Sequence, residues 1–291
     1  MLNEEDEYFR LFAACAALLA KGEDELAMRQ FLAELGNPEN TAWDDLETDG
    51  AWDYVLKTLQ ALGPKAKLAV PTIVQVLEKA PQCAETGAEA LAVIGPGARD
   101  AVPTLVALLK NPELDFLAHE AIYKALASIG PGAHVALPVL QNDFEQDWKE
   151  AAGALAKIGP PGVRVLVGAI DHEDLDTRIA AASALGQAGA HANLAVPALI
   201  HALDDPRALV RAPAAESLGN LGKAAASAVP PLSEALTDEY AVVRRNAAEA
   251  LGKIGKPARS AVPMLRPLLN DEYGVVREAA ESALKKVAEW P

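Results

Sequence analysis

The sequence contains little cysteine, few aromatic residues and few positive charges. Its 291 residues include 2 cysteines, 5% aromatic residues, and 26 basic against 41 acidic residues, for a formal charge of −15. Two cysteines without CxxC spacing argue against a disulfide framework and a zinc knuckle. Phosphate binding requires an excess of Lys and Arg on one face, so the charge argues against a nucleic-acid partner. We expect a protein of the reducing cytoplasm.

Long hydrophobic runs are also missing. The longest apolar run covers residues 11–20 and follows an acidic stretch, Glu4 to Glu7. Ten residues are too few to span a bilayer, and a signal peptide would have basic residues at that place. The sequence therefore predicts no membrane segment.

The sequence does contain a repeat with a period of about 33 residues. The phrase Ala-Val-Pro recurs, and its last three copies, at 195–197, 228–230 and 261–263, are spaced by 33 residues. A second phrase, an apolar residue followed by glycine, recurs in the same phase, which indicates one repeated supersecondary unit. The glycines of this second phrase are Gly63, Gly95, Gly130, Gly159, Gly189, Gly222 and Gly255.

Each unit is predicted to be a pair of helices, as residues 228–255 illustrate. Pro230 fits the first turn of a first helix, where a missing N–H is tolerated. Residues 241–254 have apolar side chains at helical spacing and form a second helix, which Gly255 is placed to end. One hairpin cannot bury its apolar seam, so the units must stack into a solenoid.

The repeated pattern Asp-x5-Arg-x2-Ala resembles HEAT repeats. It begins at Asp205, Asp238 and Asp271, and the phrase Ala-Leu-Gly-Lys-Ile-Gly that ends at Gly255 is similar to the bacterial HEAT-like subtype of phycobilisome-lyase-type proteins. The resemblance covers residues 51–291. It implies an all-α, right-handed α-solenoid of about eight helical hairpins, a fold used mainly as a binding surface.

Residues 1–50 depart from the repeat. We predict a cap helix over residues 3–21, a degenerate first outer helix over residues 23–35 and an acidic loop at 37–50, followed by a single continuous solenoid over 51–291. Residues 1–63 contain 14 acidic and 4 basic residues, so their net charge is 4 − 14 = −10. Either a basic partner or simple solvation of the cap accounts for this charge.

The resemblance also implies a hydrogen-bonded ladder between neighbouring units. In HEAT repeats it is formed by an Asp and an Arg six residues apart, and the planar guanidinium suits that role. The complete pair occurs only in the last three copies, whereas the fifth copy has Arg178 with Asp171 and Asp174 nearby. The predicted ladder residues are Asp205, Arg211, Asp238, Arg244, Asp271, Arg277 and Arg178.

The first half of the chain replaces the ladder arginines and is the predicted binding region. At 100° per residue, positions 245, 248, 249 and 252 lie opposite the apolar seam of their helix, and the resemblance places that side on a concave, ligand-facing surface. Mixed charges there favour a protein or peptide partner. Aromatic residues in this half are flanked by acids, which suits a partner segment with apolar anchors and basic flanks. Alternatively, the aromatics only fill gaps left by the missing arginines. The candidate protein-binding residues are Trp52, Glu85, Glu89, His119, Glu120, Tyr123, Trp148 and Lys149.

The resemblance suggests two enzymatic alternatives. One is a bilin lyase-type enzyme that handles a phycobiliprotein. The other follows from His119-Glu120, which resembles the His-Glu pairs of deoxyhypusine hydroxylase, an enzyme that assembles a di-iron site from several such pairs. The neighbouring units do not repeat this pair in phase, and one pair cannot form such a site. We predict a monomeric, non-catalytic protein-binding scaffold without a cofactor or metal.

Overall fold

The computed structural model describes residues 14–18, 25–36, 51–146 and 150–288. All regular structure in these ranges is helical, without a β-strand, which confirms the predicted all-α solenoid class. The contacts divide the chain into two compact units, Met1–Val139 and Leu140–Pro291. The expected single continuous solenoid stays a prediction.

The helices alternate between the two members of each predicted hairpin. The second helices have even numbers from α2 onward, and the first helices have odd numbers from α3 onward. The first unit contains α1 (Glu25–Leu35), α2 (Ala51–Leu62), α3 (Val70–Lys79), α4 (Ala84–Ile94), α5 (Val102–Leu108), α6 (Phe116–Ile129) and the start of α7 (Leu137–Glu145). The second unit contains the rest of α7, α8 (Ala151–Ile158), α9 (Pro160–Ala169), α10 (Leu175–Leu185), α11 (Ala192–Ala202), α12 (Ala208–Leu221), α13 (Val229–Ala235), α14 (Ala241–Ile254), α15 (Val262–Leu265) and α16 (Gly274–Ala288).

The N-terminal predictions are only partly covered. Residues 14–18 are helical, and α1 coincides with most of the predicted outer helix. Ala14, Cys15, Phe31 and Leu35 are all fully buried. The rest of the predicted cap helix and the acidic loop at 37–50 lie outside the described residues.

The seven glycines of the repeat all have a positive φ angle. Six of them directly follow a second helix as predicted, whereas α10 ends at Leu185 and Gly186 precedes the turn at Gly189. At Gly255, φ is 76° and ψ is −135°. These values match the first central residue of a type II′ turn. Only glycine adopts this conformation without strain, so each chain reversal after a second helix depends on it.

Short 3₁₀ helices follow several of these glycines and were not predicted. Examples are Gly95–Ala101 and Gly222–Ala228, which lead directly into α5 and α13. Their buried alanines are three residues apart, as at Ala98 and Ala101. This spacing fits a helix with 3.0 residues per turn, and it is the signal in the sequence that the search for a 3.6-residue period overlooked.

One segment of the described chain, Pro81–Leu108, is long and apolar enough to cross a membrane by length and composition alone. In the structure, this segment is divided between α4 and α5. The chain turns between them at Gly95, whose φ is 64°. The expected absence of a membrane segment stays a prediction.

Successive second helices of the second unit pack side by side through small residues. A Cβ atom on Gly219 of α12 would lie 2.8 Å from the Cα atom of Ala250, and one on Gly252 of α14 would lie 3.0 Å from that of Ala283. Ala248 is also fully buried. The expectation that positions 248 and 252 face a ligand is therefore wrong, because these positions contact the neighbouring second helix.

Three guanidinium groups of the ladder each join two neighbouring repeats, and we call each such Arg–Asp pair a rung. Arg244 Nε donates to Asp271 Oδ2 over 2.8 Å, while its Nη1 donates to the carbonyl oxygen of Asp238 over 2.8 Å. The carboxylate that accepts from Arg244 thus lies in the next repeat, 27 residues later. The aspartate six residues earlier contributes only its backbone carbonyl oxygen. The rungs are Arg178–Asp205, Arg211–Asp238 and Arg244–Asp271.

The rung of Arg178 corrects the expectation that Asp171 and Asp174 are its partners. Arg178 Nε donates to Asp205 Oδ2 over 2.8 Å. The Asp174 carboxylate instead caps α10, where it accepts from the backbone N–H of Thr177 over 2.7 Å. Asp171 lies 2.9 Å from His201 Nε2.

Arg277 repeats only half of this arrangement. Its Nη1 donates to the carbonyl oxygens of Asp271 and Glu272 over 2.7 and 3.1 Å, but among the described residues no carboxylate completes the rung. On the same helix, Glu281 and Lys285 occupy the positions of Ala248 and Gly252 and form an ion pair at 2.7 Å. This face of α16 therefore has charged side chains where the other second helices have small, packed ones.

Removing Arg244 should destabilise the fold, whereas removing Arg277 should not. Arg244→Ala leaves the largely buried Asp271 carboxylate unpaired, and we expect a loss of about 1–3 kcal/mol in the free energy of unfolding. Arg277→Ala is the matched control and should change it by less than about 0.5 kcal/mol. Urea unfolding of both variants measures the difference, and equal effects would show that the rungs do not stabilise the stack.

The pH dependence of the free energy of unfolding gives a second readout of the Arg244–Asp271 rung. The hydrogen bond from Arg244 holds the pKa of Asp271 below its ordinary value of 3.8. Because the folded-state pKa is depressed, this stabilisation is complete above pH 3.8 and is lost as the pH falls through the lowered pKa. Arg244→Ala should remove this part of the acid dependence.

Candidate protein-binding site

A groove opens in the first unit at the N-terminal ends of α4 and α6. These two second helices pack side by side, and the turn before α6 forms one wall of the groove. The groove encloses about 360 Å³. Among the described residues that line it are three carboxylates and no basic side chain. The lining residues are Pro81, Gln82, Glu85, Asn111, Glu113, Leu114, Asp115 and Ala118.

Local structure holds the carboxylates at the mouth of the groove. Asp115 is the N-cap of α6, and its Oδ1 accepts from the backbone N–H of Ala118 over 2.8 Å. The backbone N–H of Glu113 donates to Asn111 Oδ1 over 3.1 Å, which shapes the turn before the helix. Glu85 lies in the first turn of α4. Helix N-termini favour negative charge, so all three acids suit their positions.

The groove is strongly acidic. Burial raises the pKa of Glu85 above 4.5, and the nearby charges of Glu89, Asp115 and Glu120 raise it further, while Lys124 opposes them. Lys124 Nζ lies 2.8 Å from Glu120 Oε1. Lys124 is thus already paired with a carboxylate, and the described lining of the groove has an excess of negative charge.

Two large apolar side chains stand exposed beside these acids. Phe116 and Leu117 begin α6, directly after Asp115, and are 52% and 51% exposed. Aromatic side chains beside a pocket are typical anchors of protein interfaces. Sequence reasoning missed this pair, although an Asp-Phe-Leu phrase at a helix start places two apolar residues on the first turn, before the packed part of the helix.

The structure separates the predicted site residues of α4 and α6 into two groups. Glu85, Glu89 and Glu120 are half-buried and reach the surface. His119 and Tyr123 were expected on or beside the exposed arc, but they are only 8% and 2% exposed. The expected exposure of these two aromatics is therefore wrong.

The burial of the two aromatics has a common cause. Counted from the glycine that ends the helix, His119 corresponds to Arg244 and Tyr123 to Ala248, and both positions lie between second helices. His119 Nδ1 donates to the carbonyl oxygen of Asp115 over 2.8 Å, and its ring centroid is 6.2 Å from that of Tyr123. Both side chains thus pack within the stack, as the gap-filling alternative expects.

The remaining predicted site residues cannot be placed in the groove. Trp52 lies in α2, but its side chain is outside the described part of the structure. Trp148 and Lys149 lie outside the described residues altogether. Their role in binding stays a prediction.

Metal-ligating side chains are scattered through the described residues. Within those ranges, no group of three or more His, Cys, Asp or Glu side chains could hold a metal ion. His172 Nδ1 accepts from the backbone N–H of Asp174 over 3.1 Å. The candidate pair His119-Glu120 is also divided, because His119 is bonded to its own helix and Glu120 is paired with Lys124.

Comparison with known proteins identifies the repeats. Residues 141–219 and 196–285 match the family described as HEAT repeats. A crystal structure of Kap121p bound to Pho4p is similar in fold, with a TM-score of 0.62 and 15% sequence identity over 99% of this chain and 36% of that chain. This chain thus spans about a third of Kap121p. No curated protein has a significant match to the sequence.

Two enzymes also share part of this likeness. Human deoxyhypusine hydroxylase aligns with 98% of each chain, at 25% identity and a TM-score of 0.38. The CpcE and CpcF complex of phycocyanin lyase from Nostoc sp. PCC7120 aligns with 63% of this chain and 98% of that chain, at 22% identity and a TM-score of 0.40. TM-scores this low give no basis for transferring either activity.

Glu85 should titrate above the ordinary range of a glutamate. We expect a pKa above 4.5, and Lys124→Gln should raise it further because it removes the opposing charge. The raised folded-state pKa means that ionised Glu85 disfavours the folded state at neutral pH, and that this cost disappears as the pH falls below 4.5. Side-chain carboxyl NMR titration of both proteins measures these shifts. A pKa at or below 4.5 would contradict the account of the groove.

Proposed function

The chain is a HEAT-repeat protein, and we propose that it is a non-catalytic scaffold that binds another protein through the acidic groove between α4 and α6. One observation carries this proposal: three carboxylates, and no basic side chain among the described lining residues, line a groove beside the exposed Phe116. Such a surface fits a partner segment with an apolar anchor and basic flanks. The acids mainly speed encounter, and the apolar contact holds the complex.

A vacant rung explains why the groove should take a basic residue. Glu113 lies 17 residues before Gly130, at the position of the rung aspartates, which Asp238 occupies before Gly255. In the preceding repeat, the arginine that would reach Glu113 is replaced by Ala84, which is fully buried. An arginine or lysine from a partner would supply the missing cation to Glu113.

The second unit offers fewer free acids at the same place. There, each rung aspartate is already paired with an arginine of the preceding repeat. These aspartates are Asp205, Asp238 and Asp271. A partner would have to compete with those paired guanidinium groups. The vacant rung therefore favours the first unit as the site of a basic partner.

The proposal predicts that the groove carries most of the binding energy for its partner. Proteins captured from a lysate by the full chain are purified, and their affinity is measured by titration calorimetry. Phe116→Ala should weaken binding by at least about 2 kcal/mol, or about 30-fold, as the loss of an interface anchor does. Glu85→Gln with Glu113→Gln should weaken it and reduce its dependence on salt.

A matched charge change elsewhere in the same unit provides the control. Asp100 is exposed and lies outside the groove lining. Asp100→Asn, compared with Glu113→Gln alone, should leave the affinity nearly unchanged, and circular dichroism should show that every variant is folded. If Asp100→Asn weakens binding as much as Glu113→Gln does, the attraction is only a general effect of charge.

A further inference from the structure

A second groove lies in the second unit, between the neighbouring second helices α14 and α16. It encloses about 400 Å³. Small residues form its floor, including Gly252, Ala279 and Ala283, because the helices approach closely there. This groove shares no residue with the acidic groove of the first unit.

One end of this groove has two lysines. Lys253 and Lys286 lie at equivalent positions of α14 and α16, and both line the groove. In the neighbouring valley between α12 and α14, the equivalent pair is Asn220 and Lys253, whose side chains hydrogen-bond over 2.9 Å. Two ammonium groups cannot bond to each other, so the end between α14 and α16 has no such bridge across it.

The other end of the groove contains an exposed apolar side chain, beside Arg245 and Glu278. Val275, in the first turn of α16, lines it and is 52% exposed. Val275 and Lys286 are 11 residues apart on one helix, which corresponds to about 16 Å at 1.5 Å per residue. An extended peptide covers this distance in about five residues.

We propose that this groove binds an acidic protein segment whose carboxylate lies between Lys253 and Lys286 and whose apolar side chain lies on Val275. The carboxylate accepts hydrogen bonds from both ammonium groups and takes the place of the missing bridge. Lys253 can keep its bond to Asn220, because an ammonium group has three donors. The exposed Val275 favours a peptide over a free phosphate, because a phosphate would contact only the lysines.

This partner differs in charge from the partner proposed for the first unit. The groove lining includes three basic side chains and two acids, against three acids and no base in the first groove. A segment with an acidic anchor would be repelled by the first groove, and a basic segment would be repelled by the lysine pair. The two surfaces therefore select different partners.

A phage library of random 12-residue peptides, selected on the full chain, tests this proposal. We expect enriched peptides with Asp or Glu about five residues from a large apolar residue. Their affinity should fall roughly tenfold or more in Lys253→Asn with Lys286→Asn, and also in Val275→Ser. Glu85→Gln with Glu113→Gln should leave it unchanged, which separates this site from the first groove.

Lys285→Asn with Lys223→Asn is the matched control, because it removes two exposed lysines that do not line the groove. This variant should bind the peptides like the original protein, and circular dichroism should show that all variants are folded. The proposal is overturned if no acidic peptide is enriched or if both lysine pairs weaken binding equally. It is also overturned if inorganic phosphate displaces the peptides while Val275→Ser binds them normally.

Discussion

Close packing between successive second helices is the constraint on which the rest of this structure depends. Gly219 and Gly252 let the helix backbones approach until no Cβ atom would fit. A helix packed against its first helix and both neighbouring second helices has little free surface. Binding is then restricted to the few positions that face away from all three contacts, and to the turns at the helix ends.

The rungs determine which of those turns are available to a partner. In the second unit, each rung arginine donates to a carbonyl oxygen of the turn before its own helix and to the carboxylate of the next repeat, as Arg211 does. The turn acids there therefore serve stability. In the first unit, Ala84 occupies an arginine position while Glu113 retains the acid. The same repeat geometry that stabilises the second unit through its rungs thus leaves Glu113 of the first unit without a rung arginine.

Much of the fold could be predicted from the sequence, because local signals determine it. The predicted second helix over residues 241–254 coincides with α14, and each repeat glycine has a positive φ angle at the turn after a second helix. The exposure of His119 and Tyr123 could not be predicted in the same way. A helical wheel shows the seam toward the first helix, but it contains no information about lateral contacts with neighbouring second helices.

The details of the site were also beyond sequence reasoning for physical reasons. An Asp and an Arg six residues apart must lie at the same end of a repeat. The spacing does not show whether the arginine pairs with the aspartate of its own repeat or with that of the next one. Phe116 and Leu117 are residue types that usually lie in a protein core. They are exposed here because the Asp115 cap places them in the first turn of α6. Glu85 and Glu120 were found because charged residues at the free helix positions remain at the surface.

Filling the vacant rung tests the central claim most directly. In Ala84→Arg, the new guanidinium should reach Glu113 and occupy the acidic groove, so a partner recovered with the original protein should bind roughly tenfold more weakly or worse. Ala84→Met adds similar length without charge, and it should bind far better than Ala84→Arg in the same calorimetric titration. If both folded variants bind the partner as tightly as the original protein does, the groove is not its site.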